Sequence, residues 1–272
     1  MQKFSTAPIE AIRSFVQHRE LIYGAVKREI ESRYRGSVLG LAWSFVYPLL
    51  MLAIYTFVFS EIFKAKWNTA TESKSEFALV LFAGLIVYTL FTETITRAPG
   101  LILSNVNYVK KIVFPIEILP WISIASSLFH ALVSLSVWLL AYLIYFGAPP
   151  TTALLLPIVW LPMLLFVNGL SWFLASLGVY LRDVSQIIGI CITALMFLSP
   201  IFYPASAIPE RYRFLLFFNP LTPAVELTRD VLYWGKLPDL LTLACCWGVS
   251  LLTVWLGFAW FQKTRAGFAD VL

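Results

Sequence analysis

The chain has 272 residues, of which 60% are hydrophobic and 13% are charged, and its net charge is +5. A soluble domain carries about 25% charged residues because its surface faces water, so this composition excludes a soluble globular protein. From Ile118 to Leu181 there is no Asp, Glu, Lys or Arg, and one bilayer crossing needs about 20 apolar residues. The sequence therefore predicts an all-α integral membrane protein. Its positive charge is typical of basic cytoplasmic loops and does not indicate nucleic-acid binding.

Residues 9–35 combine apolar positions at three- and four-residue steps with many charged residues. This pattern predicts an amphipathic interfacial helix within a cytoplasmic amino-terminal segment, residues 1–37, because the charges prevent the helix from spanning the bilayer. The alternative is a small soluble helix that packs on a partner protein, and the two interpretations are compatible.

Six hydrophobic segments follow, which we predict to be the spans of a transmembrane domain covering residues 38–262. The uncharged block from 118 to 181 must contain a break, and the segment Gly147 to Thr152, with its two prolines, is the strongest turn signal there. The predicted spans are residues 38–63, 77–96, 118–146, 153–180, 184–200 and 240–261.

Residues 201–237 do not fit a full crossing. Their longest apolar stretch, residues 214–225, is interrupted by prolines and would form a helix of about 18 Å, against about 30 Å for the hydrocarbon core. We therefore predict a re-entrant or interfacial helical hairpin before the last span.

The distribution of basic residues predicts the orientation. Lys and Arg are more frequent in the amino-terminal segment, the 97–117 connection, the 182–183 turn and the 263–272 tail than in the loops on the other side. Because cytoplasmic loops collect these residues, we expect both termini in the cytoplasm. The protein is predicted to be a multi-pass protein of the cytoplasmic (inner) membrane, in contact with membrane lipids.

Catalytic motifs are missing from the sequence. It contains no G-x-x-x-x-G-K-[ST] loop, no hydrolase motif and no Cys/His cluster, so we predict no catalytic residue, no metal and no cofactor in this chain. His130 falls in the middle of a span, where structural and functional interpretations are equally open. Glu93 and Glu117 lie at span ends, which disfavours an ion-coupled mechanism and leaves the energy source to a partner protein.

Aromatic residues make up 16% of the chain, and several are hard to assign to an interfacial belt alone. Aromatic rings offer apolar contact to the C–H faces of sugars without fixing one geometry, which suits a sliding polymer. Ordinary helix packing and lipid contact are the alternative. The candidates for a substrate path are Tyr47, Tyr55, Phe59, Phe197, Phe202 and Tyr203.

Five sequence blocks resemble those of ABC-2-type polysaccharide export permeases and occur in the same order. They are RYRGSVLGLAW at 33–43, NVNYVKKIVFPIEILP at 105–120, RDV at 182–184, LSPIFYP at 198–204 and NPLTP at 219–223. The resemblance extends from residue 33 to about residue 235, so the combination is specific although each block alone is modest.

The resemblance implies a homodimer whose spans enclose a channel, with two copies of a separate cytoplasmic subunit that binds ATP and Mg²⁺. The implied substrate is lipid-linked polysaccharide, namely O-antigen, capsule or teichoic acid, of which O-antigen and capsule are favoured. The first and fifth spans would line the path, and residues 203–237 would form outer gate helices. The amino-terminal helix and a coupling loop at 97–117, with a coupling helix near residues 98–107, would dock the ATPase. The implied docking residues are Arg28, Arg33, Arg35, Ala98, Leu101, Ser104, Asn105, Asn107, Lys110 and Lys111.

Three alternatives remain at this stage. An ABC-2 exporter of a small amphiphile would share the topology and differ only in its substrate. A membrane-embedded transferase would need an acid/base constellation at the membrane edge, and a secondary transporter would need internal symmetry or buried acids. Neither of the last two patterns is visible in the sequence.

Overall fold

The structure is a computed structural model that describes residues 5–62, 74–110 and 114–272. Across these residues it consists of helices and turns, without a β-strand. Most of the connection between the first two predicted spans, and the predicted docking residue Lys111, lie outside the described residues. The α-helices are α1 Pro8–Gln17, α2 Arg19–Tyr34, α3 Trp43–Tyr55, α4 Lys74–Arg97, α5 Val106–Lys110, α6 Leu119–Phe146, α7 Leu156–Tyr180, α8 Val184–Leu198, α9 Phe214–Phe218, α10 Leu221–Arg229, α11 Leu240–Thr264 and α12 Phe268–Val271.

Five helical segments in the described part of the chain are long and apolar enough to cross a membrane. They are Gly40–Phe59, Glu76–Gly100, Ile116–Phe146, Thr151–Tyr180 and Leu240–Val271. The predicted fifth span is the shorter apolar helix α8, whose 15 residues reach about 22 Å. The predicted all-α membrane architecture is therefore confirmed, with five helical segments of spanning length and the shorter apolar helix α8 at the position of the predicted fifth span.

The predicted amino-terminal helix is divided in two at His18, whose Nδ1 atom lies 2.9 Å from the carbonyl oxygen of Ser14. Helix α1 is amphipathic, with Ile9 and Ile12 exposed and Ala11 buried. Helix α2 carries apolar and charged residues around its whole circumference, and Ile22 is its only buried side chain among those described. The amphipathic character therefore resides mainly in the first ten-residue helix.

Helix α4 is the centre of the bundle. Its side chains are buried along almost its whole length, and it packs against α6, α7, α8 and α10. The first span and α11 lie at the periphery and expose most of their apolar side chains. The apolar faces of these peripheral helices are suited to contact with lipid or with another protein.

Helices α7 and α11 cross in close contact because glycines face each other. A Cβ atom on Gly169 would lie 2.5 Å from the carbonyl oxygen of Thr253, and a Cβ atom on Gly257 would overlap the carbonyl oxygen of Gly169. Small residues at such crossings let two backbones approach within van der Waals contact. This crossing fixes the last span against the fourth.

The segment before the last span, predicted as a re-entrant or interfacial hairpin, contains the short helices α9 and α10, and we call it the re-entrant hairpin. The carbonyl oxygen of Val231 accepts a hydrogen bond from Thr152 at the start of the fourth span, whereas Thr228 accepts one from the indole N–H of Trp160. Thr152 and Trp160 are eight residues apart, which corresponds to about 12 Å of helix. Helix α10 therefore runs from within the bundle towards the surface at which Thr152 lies. We call this surface the hairpin side, and the surface with both termini the amino-terminal side.

Candidate functional site

An aromatic cluster joins the first span to the segment after α8. The ring of Phe59 stacks on Phe202 with centroids 5.8 Å apart and on Phe77 at 5.5 Å, and Tyr55 lies 6.4 Å from Phe59. Three of the predicted path residues are therefore neighbours. Phe77 was missed because it is an ordinary apolar residue at the start of a span.

The other predicted path residues lie apart from this cluster. Tyr203 donates a hydrogen bond from its hydroxyl to the carbonyl oxygen of Phe197 (2.6 Å). This bond stabilises the turn after α8. Phe197 and Tyr47 are 61% and 60% exposed as whole residues. Tyr47 precedes Tyr55 by two helical turns and lies nearer the amino-terminal side. A path lined by all six residues remains a prediction.

A polar cluster on the amino-terminal side connects α2 to α4. Glu93 forms ion pairs with Arg33 and, at 3.9 Å, with Arg97, and Arg97 contacts Glu29 at 2.5 Å. Burial raises the pKa of the Glu29 carboxyl, and the adjacent Arg97 acts in the opposite direction. Arg33, predicted to dock the ATPase, thus has its guanidinium paired within the chain.

A small cavity of about 200 Å³ lies beside the polar cluster, between the first three spans and α2. His130 of α6 and Tyr34 of α2 meet at its wall, where the Tyr34 hydroxyl lies 3.4 Å from Nδ1 of His130. The Nε2 atom of His130 is buried and has no hydrogen-bond partner among the described residues. The mid-span histidine therefore connects α6 to the amino-terminal helix and lines a cavity.

The connection after α4 packs closely against α7. A Cβ atom on Gly178 would overlap the carbonyl oxygen of Pro99, so this glycine allows the loop to contact the helix. Ala98 is fully buried here and offers no surface to a partner. Its position in the implied docking set is therefore corrected, because its small side chain packs the loop onto the bundle.

The rest of this loop presents a polar surface. Ser104, Asn107 and Lys110 are exposed, whereas Leu101 and Asn105 are half-buried. The Asn105 amide donates to the carbonyl oxygen of Leu101 at 2.9 Å, which holds the turn in a helical shape. Instead of one coupling helix at 98–107, the structure has two 3₁₀ turns and the short helix α5. Arg28 and Arg35 of the amino-terminal segment are also exposed.

Glu117 connects three separate parts of the amino-terminal side. Its carboxylate pairs with Arg265 at 2.8 Å and accepts a hydrogen bond from Ser14 at 3.2 Å. Its carbonyl oxygen accepts a hydrogen bond from the indole N–H of Trp172 at 2.9 Å. The sequence places Glu117 only at a span boundary, whereas the structure shows that it joins α1, α7 and the tail.

Arg229 holds the re-entrant hairpin inside the bundle. Its side chain is 1% exposed and donates hydrogen bonds to the carbonyl oxygens of Val80 at 3.0 Å and Ile201 at 2.8 Å, and also to that of Pro200. Glu226 accepts a further bond at 3.0 Å. A buried charge is tolerated only when it is paired and hydrogen-bonded, and here it ties α10 to α4 and to the end of α8.

These elements define a multi-pass α-helical membrane protein with a polar loop surface on one side and a re-entrant hairpin on the other. The chain belongs to the ABC-2 type transporter family, whose model matches residues 20–233. It is therefore a membrane subunit of a transporter and not an enzyme.

Individual relatives match over almost their whole length. The chain is 28% identical over 264 residues to the O-antigen export system permease protein RfbA of Myxococcus xanthus, covering 96% of this chain and 99% of that protein. It is 27% identical over 256 residues to the protein of the same name from Klebsiella pneumoniae, with 93% and 95% coverage. It is also 27% identical over 242 residues to the polysialic acid transport protein KpsM of Escherichia coli, with 86% and 90% coverage.

Proposed function

We propose that this chain is the membrane-spanning subunit of an ABC exporter that moves lipid-linked polysaccharide, O-antigen or capsule, across the cytoplasmic membrane. The observation that carries the proposal is the full-length similarity to relatives named for O-antigen export and polysialic acid transport. The aromatic cluster at Phe59 and Phe202 supports it, because stacked rings beside a crossing suit contact with sugar faces.

The channel is proposed to form between two copies of the chain. The first span is mostly unburied within one protomer, and Ile187 and Ile190 of α8 are exposed as well. The exposed side of α8 also carries Gln186 and Thr193, polar side chains that are unfavourable against lipid. A second protomer packed at this edge would cover the apolar surface and enclose a polar, aromatic path.

A separate ATPase subunit is proposed to dock on the amino-terminal side, which we place in the cytoplasm. The exposed residues of the loop and of α2 supply the contact surface. Movement of this surface would reach the bundle through rigid contacts, because Pro99 lies against Gly178 and Glu117 is paired with Arg265. ATP-driven closure of two docked subunits would then separate the first and fifth spans of the two copies and admit the lipid-linked glycan.

Reconstitution tests this proposal. The chain and its ATPase should co-purify at equal stoichiometry, and the complex in liposomes should transport the glycan only with ATP and Mg²⁺. The chain alone should transport no glycan with or without nucleotide. Gradient-driven transport by the purified single subunit would overturn the proposal.

One observation favours export of a small amphiphile as a second candidate. A largely apolar cavity of about 860 Å³ lies between α7, α11 and the re-entrant hairpin, and a cavity of this size can hold a lipid-like molecule. In this case, the reconstituted complex would show ATPase stimulation by the amphiphile and none by lipid-linked glycan. Stimulation by the glycan alone would exclude this candidate.

A further inference from the structure

The cavity beside the polar cluster has features of a ligand site. It occupies about 200 Å³, which equals the liquid volume of about six or seven water molecules, so it is large enough for one sugar ring and too small for an oligosaccharide. Its walls come from three spans and from α2, which places a ligand where the amino-terminal helix meets the bundle.

Two buried polar atoms at the cavity are without partners in the described part of the chain. They are Nε2 of His130 and Oγ of Ser127, which stand one helical turn apart on α6. Both residues line the cavity. The Tyr34 hydroxyl lies on the Nδ1 side of His130, so Nε2 is the ring nitrogen without a partner among the described residues. A buried polar atom without a partner is unfavourable, and a ligand with hydroxyl groups would supply one.

The charges around the cavity favour a neutral ligand. The adjacent ion pairs join two arginines, Arg33 and Arg97, to two glutamates, Glu29 and Glu93, so their formal charges cancel. A diphosphate would meet the Glu93 carboxylate without a free excess of positive charge. A sugar ring, in contrast, both donates and accepts hydrogen bonds, which matches a set made of a carboxylate, a guanidinium, an imidazole and a hydroxyl.

The aromatic side chains that line the cavity are also suited to a sugar ring. Trp43 and Tyr47 of the first span line the same cavity, and both rings keep exposed surface. Aromatic rings and planar polar groups together are suited to a molecule that has apolar C–H faces and polar edges.

From this geometry we propose that the cavity between α2 and the first three spans binds one sugar ring of the exported glycan, with His130 and Ser127 as its buried hydrogen-bonding partners. The proposal rests on the proposed function, since it names the part of the polysaccharide that the chain recognises. The lipid carrier's diphosphate would bind elsewhere.

The test is a binding measurement on the complete transporter in nanodiscs. The probe is the polysaccharide of the host cell, released from its lipid and diphosphate, and inorganic diphosphate is the competitor. We expect saturable glycan binding that diphosphate does not displace. His130→Leu and Ser127→Ala should each weaken glycan affinity about tenfold, because each removes one buried hydrogen-bonding atom.

The matched control is Ser136→Ala. Ser136 lies on the same helix but donates to the carbonyl oxygen of Val133 and does not line the cavity, so its variant should bind like the wild type. Thermal unfolding of each variant separates lost binding from lost folding, and Ser127→Ala removes only one oxygen atom from the buried surface.

Displacement of the glycan by diphosphate, or unchanged glycan affinity in folded His130→Leu and Ser127→Ala variants, would overturn the sugar site. In both cases ATP-dependent glycan export by the wild type would leave the proposed function standing. Failure of the wild-type complex to export any glycan would instead contradict the proposed function.

Discussion

Glu93, at the end of the second span, forms an ion pair with Arg33 of α2, sixty positions earlier in the chain. The same carboxylate lies 3.9 Å from Arg97. The amino-terminal helix is therefore held to the bundle by electrostatic contacts as well as by apolar packing, and a movement of one is coupled to the other.

Replacing Glu93 should loosen α2. The Glu93→Gln variant leaves two arginines without this carboxylate. We expect the free energy of unfolding to fall by about 1–2 kcal/mol, because the pair is partly exposed. A lower thermal unfolding midpoint in detergent and faster proteolysis within residues 19–34 would show that α2 is loosened. The control is Lys27→Ala, which removes an exposed pair with Glu31 and should change neither readout.

The glycine crossing of α7 and α11 should not tolerate a methyl group. In Gly257→Ala the new Cβ would overlap the carbonyl oxygen of Gly169, so the helices must separate. We expect this separation to lower the free energy of unfolding by about 1–3 kcal/mol. Gly248→Ala on the same helix meets no atom within 4 Å and serves as the control. Equal melting temperatures for the two variants would contradict this close crossing.

Removing the Arg229 guanidinium should detach the re-entrant hairpin. Arg229→Met leaves three backbone carbonyls and Glu226 without their donor, and breaking a buried ionic network costs about 3–5 kcal/mol. Accelerated hydrogen exchange in residues 221–229 would reveal the change. Arg211→Ala, an exposed cation in the preceding turn, should exchange like the wild type.

The aromatic cluster should affect export. Tyr55→Ala and Phe59→Ala remove rings from the cluster, and we expect surface polysaccharide to appear several times more slowly while the complex with the ATPase stays assembled. Phe57→Ala changes an exposed ring in the same helical stretch and is the matched control. Unchanged surface polysaccharide in both cluster variants would count against an aromatic path.

The exposed part of the 97–117 connection should determine ATPase docking. Lys110→Glu reverses a charge on the amino-terminal side, so it should lower the amount of ATPase that co-purifies with the chain. Lys236→Glu reverses an exposed charge on the hairpin side and should leave that amount unchanged. An equal loss in both variants would indicate a general defect of assembly.

Several features of this protein can be predicted from its sequence because they depend on local composition. The third predicted span, 118–146, agrees with helix α6 Leu119–Phe146 to within one residue. That helix ends just before Gly147, which has a φ of 85°, because glycine adopts this left-handed region without steric cost. The shortness of the hairpin helices also follows from their prolines. The family follows from motifs in order along the chain, and the family model confirms it.

Other features depend on residues that are distant in the chain. The bond from Arg229 to Val80 joins positions 149 residues apart, and the contact of Gly257 with Gly169 arises only when two helices cross. The sequence showed Arg33 as one basic residue among many and Ala98 as part of a polar loop, but the structure pairs the first and buries the second. Hydrophobicity places each helix in the membrane independently, whereas the choice of polar partners depends on the packing of all the helices together.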